Sequence, residues 1–426
     1  MMKQAIKIPQ RNQIFYFLYL LLILYLVLTN KTFKRMANEP VIALMGFQLL
    51  ITFLYTGFWK VAFSRYFIFI YLSVFMYAFY YVIGHDKASI INIPIIVRNI
   101  PLFVLGFFLI LDHPRKQLLI LCYLISHSLI VLVDIYRIKS YSSAGLFKEE
   151  MAVIINYSDM SFYASKNDLI PWFPSLSFLV LLSFIIWHNS NKLTLICVIG
   201  CQLILTYQVA ISGWVSSILL LGLGLVLYTN LRIIKSGKQF LRNMVVFACV
   251  MGIGLFAYSI LSSQKGGHVG SASKRIDRLI DGISQGNVDA IDDVSGGRIT
   301  LAKFSLNEFY KNPLIGTGNN YIGGGHSHIF DTLGRFGIIG SIAISGQLFF
   351  WLYLSFLNYR KFPMNNTVVV CFSIMILFFI GNIINPYYPK TYIDSIVFFA
   401  GGMICGLDYL QRKGMKMIND LGIHNT

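Results

Sequence analysis

The stretch Asn366-Thr-Val-Val-Val-Cys-Phe-Ser-Ile-Met-Ile-Leu-Phe-Phe-Ile-Gly-Asn-Ile-Ile384 runs for 19 residues without a charged side chain. A helix that crosses the hydrocarbon core of a bilayer needs about 20 predominantly apolar residues. This stretch is that long, and it has no polar face on which a soluble helix would meet water. Reading outward from it in both directions gives about twelve such blocks (10–13, because several are short). They lie at residues 14–28, 41–59, 66–83, 95–111, 117–136, 170–187, 193–211, 213–231, 244–261, 337–357, 366–384 and 392–409. Over all 426 residues, 56% are apolar and 12% charged, against roughly 25% charged in an ordinary soluble domain. The expected fold is an all-α polytopic membrane protein.

The formal charge of +17 comes from 35 Lys and Arg against 18 Asp and Glu. In a soluble protein such an excess points to an acidic partner. Here its distribution gives the orientation. With the N-terminus in the cytoplasm, the cytoplasmic segments hold 17 basic residues and the short outer loops 6. Lys31, Lys34 and Arg35 form the one cluster on the opposite side. By the positive-inside rule both termini are cytoplasmic. The cytoplasmic side then carries a net +14 and the outer side +3. Most of the excess is therefore orientation signal and contact with anionic lipid, and it gives no argument for nucleic acid. Trp59, Trp172, Trp187 and Trp214 fall at block ends, as an interfacial aromatic belt requires. Trp351 falls in mid-block. The block Ile14–Leu28 follows Lys3, Lys7 and Arg11 as a signal peptide would. Leu28-Thr29-Asn30-Lys31 offers no small-residue cleavage site, so the block is expected to be a retained first helix.

All six cysteines (Cys122, Cys197, Cys201, Cys249, Cys371 and Cys405) lie in apolar blocks, which excludes a disulfide framework and fits small apolar filler. Cys197 and Cys201 are one helical turn apart, but no His or acid completes a metal set. His127 lies inside a block, where a packing role through its ring N–H competes with a functional one.

Three regions follow. Residues 1–261 hold nine helices and an outer loop at 137–169. Residues 262–336 form a large outer loop, the least hydrophobic part of the chain. Residues 337–426 hold the last three helices and a short cytoplasmic tail. The large loop is expected to be folded. Ser271-Ala-Ser273 can cap a helix on which Ile276, Leu279, Ile280 and Ile283 share a face. A second amphipathic helix is expected from Thr300 to Tyr310, stopped by Asn312-Pro313.

The chemistry candidates are in that loop. Ser295-Gly-Gly-Arg298 is followed by Asn312-Pro-Leu-Ile-Gly316-Thr-Gly318, then Gly323-Gly-Gly-His326-Ser-His328, then Gly334-Arg335-Phe-Gly337-Ile-Ile-Gly340. The glycines permit close backbone approach and unusual dihedrals. Backbone amides beside arginines suit a phosphate or pyrophosphate, while a flexible loop accounts for the same glycines without a ligand. No Gly-Lys-Ser/Thr follows, so this is not a P-loop. His326 and His328, two apart, would share a metal only in an extended segment. Either can instead accept a proton or orient a polar group, or be an ordinary loop histidine.

In their order, spacing and membrane side these motifs resemble the bacterial O-antigen ligase/polymerase family. In that family a late outer loop carries an Arg after a small-residue pair. A Pro-Leu-x-Gly-x-Gly segment follows, then a His-Asn about eleven residues before a Gly-x-x-Gly that opens the next helix. Here His326 lies eleven residues before Gly337, and Ser327 replaces the Asn. The motifs cover residues 295–340; the span number and the two outer loops extend the likeness over the chain. One feature departs from the family. Where members have a Ser-Arg pair at the outer end of a mid-chain helix, this chain has Ser212-Gly213. Arg98, at the outer mouth of the fourth block, is either a positional substitute or a snorkelling arginine.

The resemblance implies a metal-independent glycosyltransferase without cofactors that uses polyprenyl-pyrophosphate-linked oligosaccharide at the outer face of the cytoplasmic membrane. It implies that Arg298, then Arg335, stabilise the pyrophosphate leaving group, and that His326 accepts the acceptor's proton, with His328 in support. Gly316, Gly318 and Arg98 complete the expected substrate contacts. The expected activity is polymerisation of repeat units for a capsule, exopolysaccharide or O-antigen. The alternatives are a ligase of the same family, a lipid-linked oligosaccharide flippase, and a non-catalytic scaffold. Expected partners are the lipid bilayer, a chain-length regulator and a flippase. The near absence of charge within the blocks argues against a transporter.

Overall fold

The computed structural model describes residues 64–84, 281–295, 297–318, 327–363, 365–384 and 393–412, with short runs and single residues between 92 and 110 and at 132, 196, 200, 204, 223, 224, 227, 231 and 278. Every regular element among them is an α-helix. These are α1 (Ile68–Gly84), α2 (Val288–Ser295), α3 (Arg298–Lys311), α4 (His328–Lys361), α5 (Asn366–Ile384) and α6 (Ile393–Arg412). Helices α1, α5 and α6 fall on the third, eleventh and twelfth apolar blocks, and α3 on the amphipathic helix expected before Asn312-Pro313. Among the described residues, α4 is long and apolar enough to cross a membrane, and α1 and α5 are shorter apolar helices. The fourth block is described in part. The first, second and fifth to ninth blocks lie outside the described residues apart from single positions. The loop 137–169 and His127 lie outside them entirely.

Helix α4 begins at His328, nine residues before the apolar block expected at 337–357. Ser327 caps it: the hydroxyl accepts from the Phe330 amide at 3.5 Å, and Asp331 accepts from the Ser327 amide at 3.1 Å. This reciprocal exchange at a helix start is similar to a capping box, with the acid one position beyond the usual third residue. The helix is then broken at Gly337, whose φ of 61 and ψ of −166 belong to a region that side chains with a Cβ avoid. The break is a fold-back. His328 Nε2 lies 3.0 Å from Ser345 Oγ, whereas 17 residues of straight helix would separate them by about 25 Å. The leg 328–336 therefore returns alongside the leg 338–361.

The longer leg is the centre of the described bundle. On one side Ser73 of α1 reaches its backbone, with the hydroxyl within 3.0 Å of Ala343 O and 3.1 Å of Ile344 O. On another, Phe349 and Tyr359 meet Phe379 and Phe372 of α5, with centroids 5.2 Å apart in both pairs. Trp351 is fully buried, stacked at 5.6 Å on Phe103 and edge-on at 5.2 Å to Phe398 of α6. That explains why it alone sits in mid-block: it is a core ring, not a belt residue. Gly401 makes room for it, since a Cβ there would come within 2.6 Å of the indole. Gly402-x-x-x-Gly406 faces the 102–107 segment, and a Cβ on Gly402 would overlap the Phe103 carbonyl. Small residues four apart bring apolar helices to backbone contact. Cys371 and Cys405 are free and buried, as filler residues should be.

At the end of the bundle that carries the α6 C-terminus, buried Asp408 accepts from Arg65, from the Tyr66 hydroxyl at 2.7 Å and from Arg412 Nε at 3.0 Å. A buried carboxylate needs such donors to offset its lost hydration. These tie the start of α1 to the end of α6. On their outward sides the helices expose large apolar side chains at helical spacing. Leu72, Phe75, Phe79 and Val82 do so on α1, and Ile342, Phe349, Tyr353 and Phe356 on α4.

Candidate functional site

The Pro-Leu-x-Gly-x-Gly segment and the Gly-x-x-Gly segment are joined backbone to backbone. In an unbroken helix the Ile338 and Ile339 amides would donate to the Gly334 and Arg335 carbonyls. The break at Gly337 separates these four groups, and residues 313–318 satisfy all of them. Ile338 donates to Pro313 O at 2.8 Å and Ile339 to Leu314 O at 3.2 Å. In return Thr317 donates to Gly334 O at 3.1 Å and Gly318 to Arg335 O at 2.9 Å. The Tyr80 hydroxyl of α1 lies 2.7 Å from Ile315 O and 2.8 Å from Phe336 O, and bridges the two partners. Backbone polar groups left unmade in an apolar setting cost several kcal/mol each, which is why a broken helix here requires the inserted loop.

The glycines are what this contact requires. Gly316 has a φ of 72 and Gly337 a φ of 61, and a Cβ on either would overlap backbone of the other's segment. Gly340 leaves space for the Tyr80 ring, 3.1 Å from where its Cβ would lie. The expected close backbone approach is thus realised within the protein itself. The amides of Gly316, Thr317 and Gly318 donate to Asn312, Gly334 and Arg335 carbonyls. These amides are therefore taken up within the junction, where Gly316 and Gly318 have a structural part.

Arg298 opens α3. Gly297 before it has a φ of 75 and no side chain with which to cap the helix. Asp292, on α2, supplies the cap instead. Its carboxylate accepts from the Ile299 amide at 2.7 Å, the Thr300 amide at 3.2 Å and the Thr300 hydroxyl at 2.5 Å. A negative charge at a helix N-terminus also opposes the macrodipole favourably. Further along α3, buried Ser305 donates to Asp331 of α4 at 2.7 Å. The contacts Ser305–Asp331 and Pro313–Ile338 pair residues 26 and 25 apart, so α3 and the short leg of α4 run side by side in the same direction.

This geometry separates the two expected arginines. Arg298 precedes Ser305 by seven residues, about 10 Å of helix, and lies toward the His328 end. Arg335 follows Asp331 by four residues, about 6 Å in the other direction. They stand roughly 16 Å apart along the shared axis, at opposite ends of the pair. The Arg335 guanidinium lies 4.7 Å from the Phe336 ring centroid, at the junction. His328 is buried, with Nε2 on Ser345 and Nδ1 3.4 Å from the Thr332 hydroxyl. Ser327 beside it donates to Asn382 O of α5 at 3.3 Å. His328 thus fastens the fold-back. His326, Arg98 and Ser212-Gly213 lie outside the described residues.

Tyr80, Asp331, Ser345 and Asp292 were missed in the sequence. Of these only Asp292, a few residues before a helix start, carries a local signal; the other three act across distances of 17 to 256 residues. Compared with known proteins, the chain matches no family model and no curated protein.

Proposed function

We propose that the chain is a multi-pass protein of the bacterial cytoplasmic membrane, with about twelve helices and both termini inside. At the outer face it polymerises polysaccharide from polyprenyl-pyrophosphate-linked repeat units. The membrane reading is supported by the run of uncharged blocks, by the length of α4 and by the outward apolar rows of α1 and α4. Such rows are a liability in water and natural in hydrocarbon.

The observation that carries the enzymatic reading is the junction itself. Two motifs read separately from the sequence, 313–318 and 337–340, form one unit at the head of a crossing helix, with Arg298 and the Ser327-His328 helix start at the other end of the packed pair. In the reaction, an acceptor hydroxyl of one lipid-linked unit attacks the anomeric carbon of the glycan on another. The bond from that carbon to the pyrophosphate oxygen breaks, and polyprenyl pyrophosphate leaves. His326 takes the hydroxyl proton. Arg298 stabilises charge on the departing pyrophosphate. Arg335, some distance away over Phe336, positions the junction. The chemistry needs neither metal nor cofactor, and a flippase and a chain-length regulator act before and beside it.

Glycan analysis of a strain lacking the gene tests the reading. Single repeat units attached to the final acceptor are expected. Polymer accumulating on the lipid carrier would make the protein a ligase, and repeat units retained at the inner leaflet would make it a transporter.

A further inference from the structure

The two groups of the proposed chemistry stand on different elements. Arg298 opens α3, and His326 is bonded in the chain to Ser327, the residue that caps α4. One side chain is hydrogen-bonded to both elements. Asp331 accepts from the Ser305 hydroxyl of α3 at 2.7 Å through one carboxylate oxygen and from the Ser327 amide at 3.1 Å through the other. Ser305 is fully buried and Asp331 half-buried. A hydroxyl closed off from water depends on such an acceptor. Ser327 is tied on its other side as well, its hydroxyl donating to Asn382 O near the end of α5 at 3.3 Å. Levels along the packed pair follow from helix rise. Arg298 lies about 10 Å from the level of Ser305, and Ser327 about 6 Å from that of Asp331, in the same direction. Along the axis Arg298 therefore stands within about 5 Å of the level of Ser327.

We infer that Asp331 is a positioning residue of the proposed transfer: it sets α3, with Arg298, against the chain that leads from His326 into α4. This role rests on the polymerase reading above. The reaction needs a proton acceptor and a cation on the leaving pyrophosphate placed around one anomeric carbon at the same time. The junction fixes the packed pair at its other end, about 12 Å beyond Ser305, and the Ser305–Asp331 bond fixes it nearer to Arg298. Without that bond α3 can pivot about the junction, and a displacement of about 1 Å in a reacting group costs about 10²-fold in rate. Asp331 acts here through the geometry of its two contacts and not through its charge. An asparagine in its place can accept from the Ser327 amide through its carbonyl and donate to the Ser305 hydroxyl, which accepts as well as donates.

The test is turnover by the full-length protein in proteoliposomes, with polyprenyl-pyrophosphate-linked repeat units isolated from a strain lacking the gene as substrate. Ser305→Ala breaks the bond to α3 and leaves the Ser327 amide on Asp331; Asp331→Ala breaks both contacts, and Asp331→Asn keeps both. Rates are taken per folded molecule, so that a loss of stability alone does not count. For Ser305→Ala kcat is expected to fall about 10²-fold with KM within about twofold of the wild type. Asp331→Ala falls at least as far, and Asp331→Asn retains most of the wild-type kcat. Wild-type kcat per folded molecule in Ser305→Ala, or a rise in KM alone, overturns the positioning role and leaves the polymerase reading standing. A loss in Asp331→Asn as deep as in Asp331→Ala also overturns it, because charge would then be what counts. If Asp331→Ala does not fold, Ser305→Ala and Asp331→Asn decide between these outcomes. A wild-type protein that forms no ladder of glycans overturns the polymerase reading and the positioning role with it.

Discussion

At the level of single residues the junction is held by two residue choices that admit little substitution. Tyr80→Phe removes the hydroxyl that two carbonyls share. It should cost about 1–2 kcal/mol, seen as a lower melting temperature of the purified protein with helix content unchanged. An unshifted melting curve would show that water replaces the hydroxyl. Gly337→Ala is more severe, because it combines a φ of 61 with a Cβ that overlaps the Leu314 backbone. A loss of about 2–3 kcal/mol or more is expected, with most polymerising activity gone; Gly286→Ala, also at positive φ but with open space around its Cβ, should cost about 1 kcal/mol. His326→Ala should abolish long polymer at normal expression, since general-base assistance contributes about 10²–10⁴-fold in rate. Unchanged glycan length on a gel would remove His326 from the chemistry.

Among the elements, the sequence was most readable where one local property decides. An uncharged 19-residue run has one stable form in hydrocarbon, and α5 occupies the expected residues 366–384 without change. Asn312-Pro313 ends α3 because proline excludes helix before it. The head of α4 was less readable. The glycines at 334, 337 and 340 suggested a loop opening onto a helix, but Ser327 and Asp331 start the helix nine residues sooner and the inserted loop repairs the break. That repair depends on pairing across 17 to 25 residues, which no local pattern records. The role of Gly402 was likewise invisible until Phe103 was placed against it. Gly402→Val should separate α6 from the 102–107 segment and lower the melting temperature by the equivalent of about 2–3 kcal/mol. Gly200→Val, at a site with open space, is the control and should change little.

For the whole molecule, the charge pattern and the motif positions make one statement about sidedness. With both termini cytoplasmic, as proposed, the cytoplasmic segments carry +14 and the outer ones +3, so cysteines placed between 265 and 290 should react with an impermeant maleimide in intact cells. Reaction only after lysis would reverse the topology and put the motifs on the side without lipid-linked glycan. The central claim is that this chain alone joins lipid-linked repeat units. The purified protein, in proteoliposomes with polyprenyl-pyrophosphate-linked repeat units as the only substrate and a chelator present, tests it most directly. A ladder of glycans spaced by one repeat unit, absent with His326→Ala, is the predicted result. Substrate recovered unchanged, or product formed only when a different acceptor is added, would contradict it.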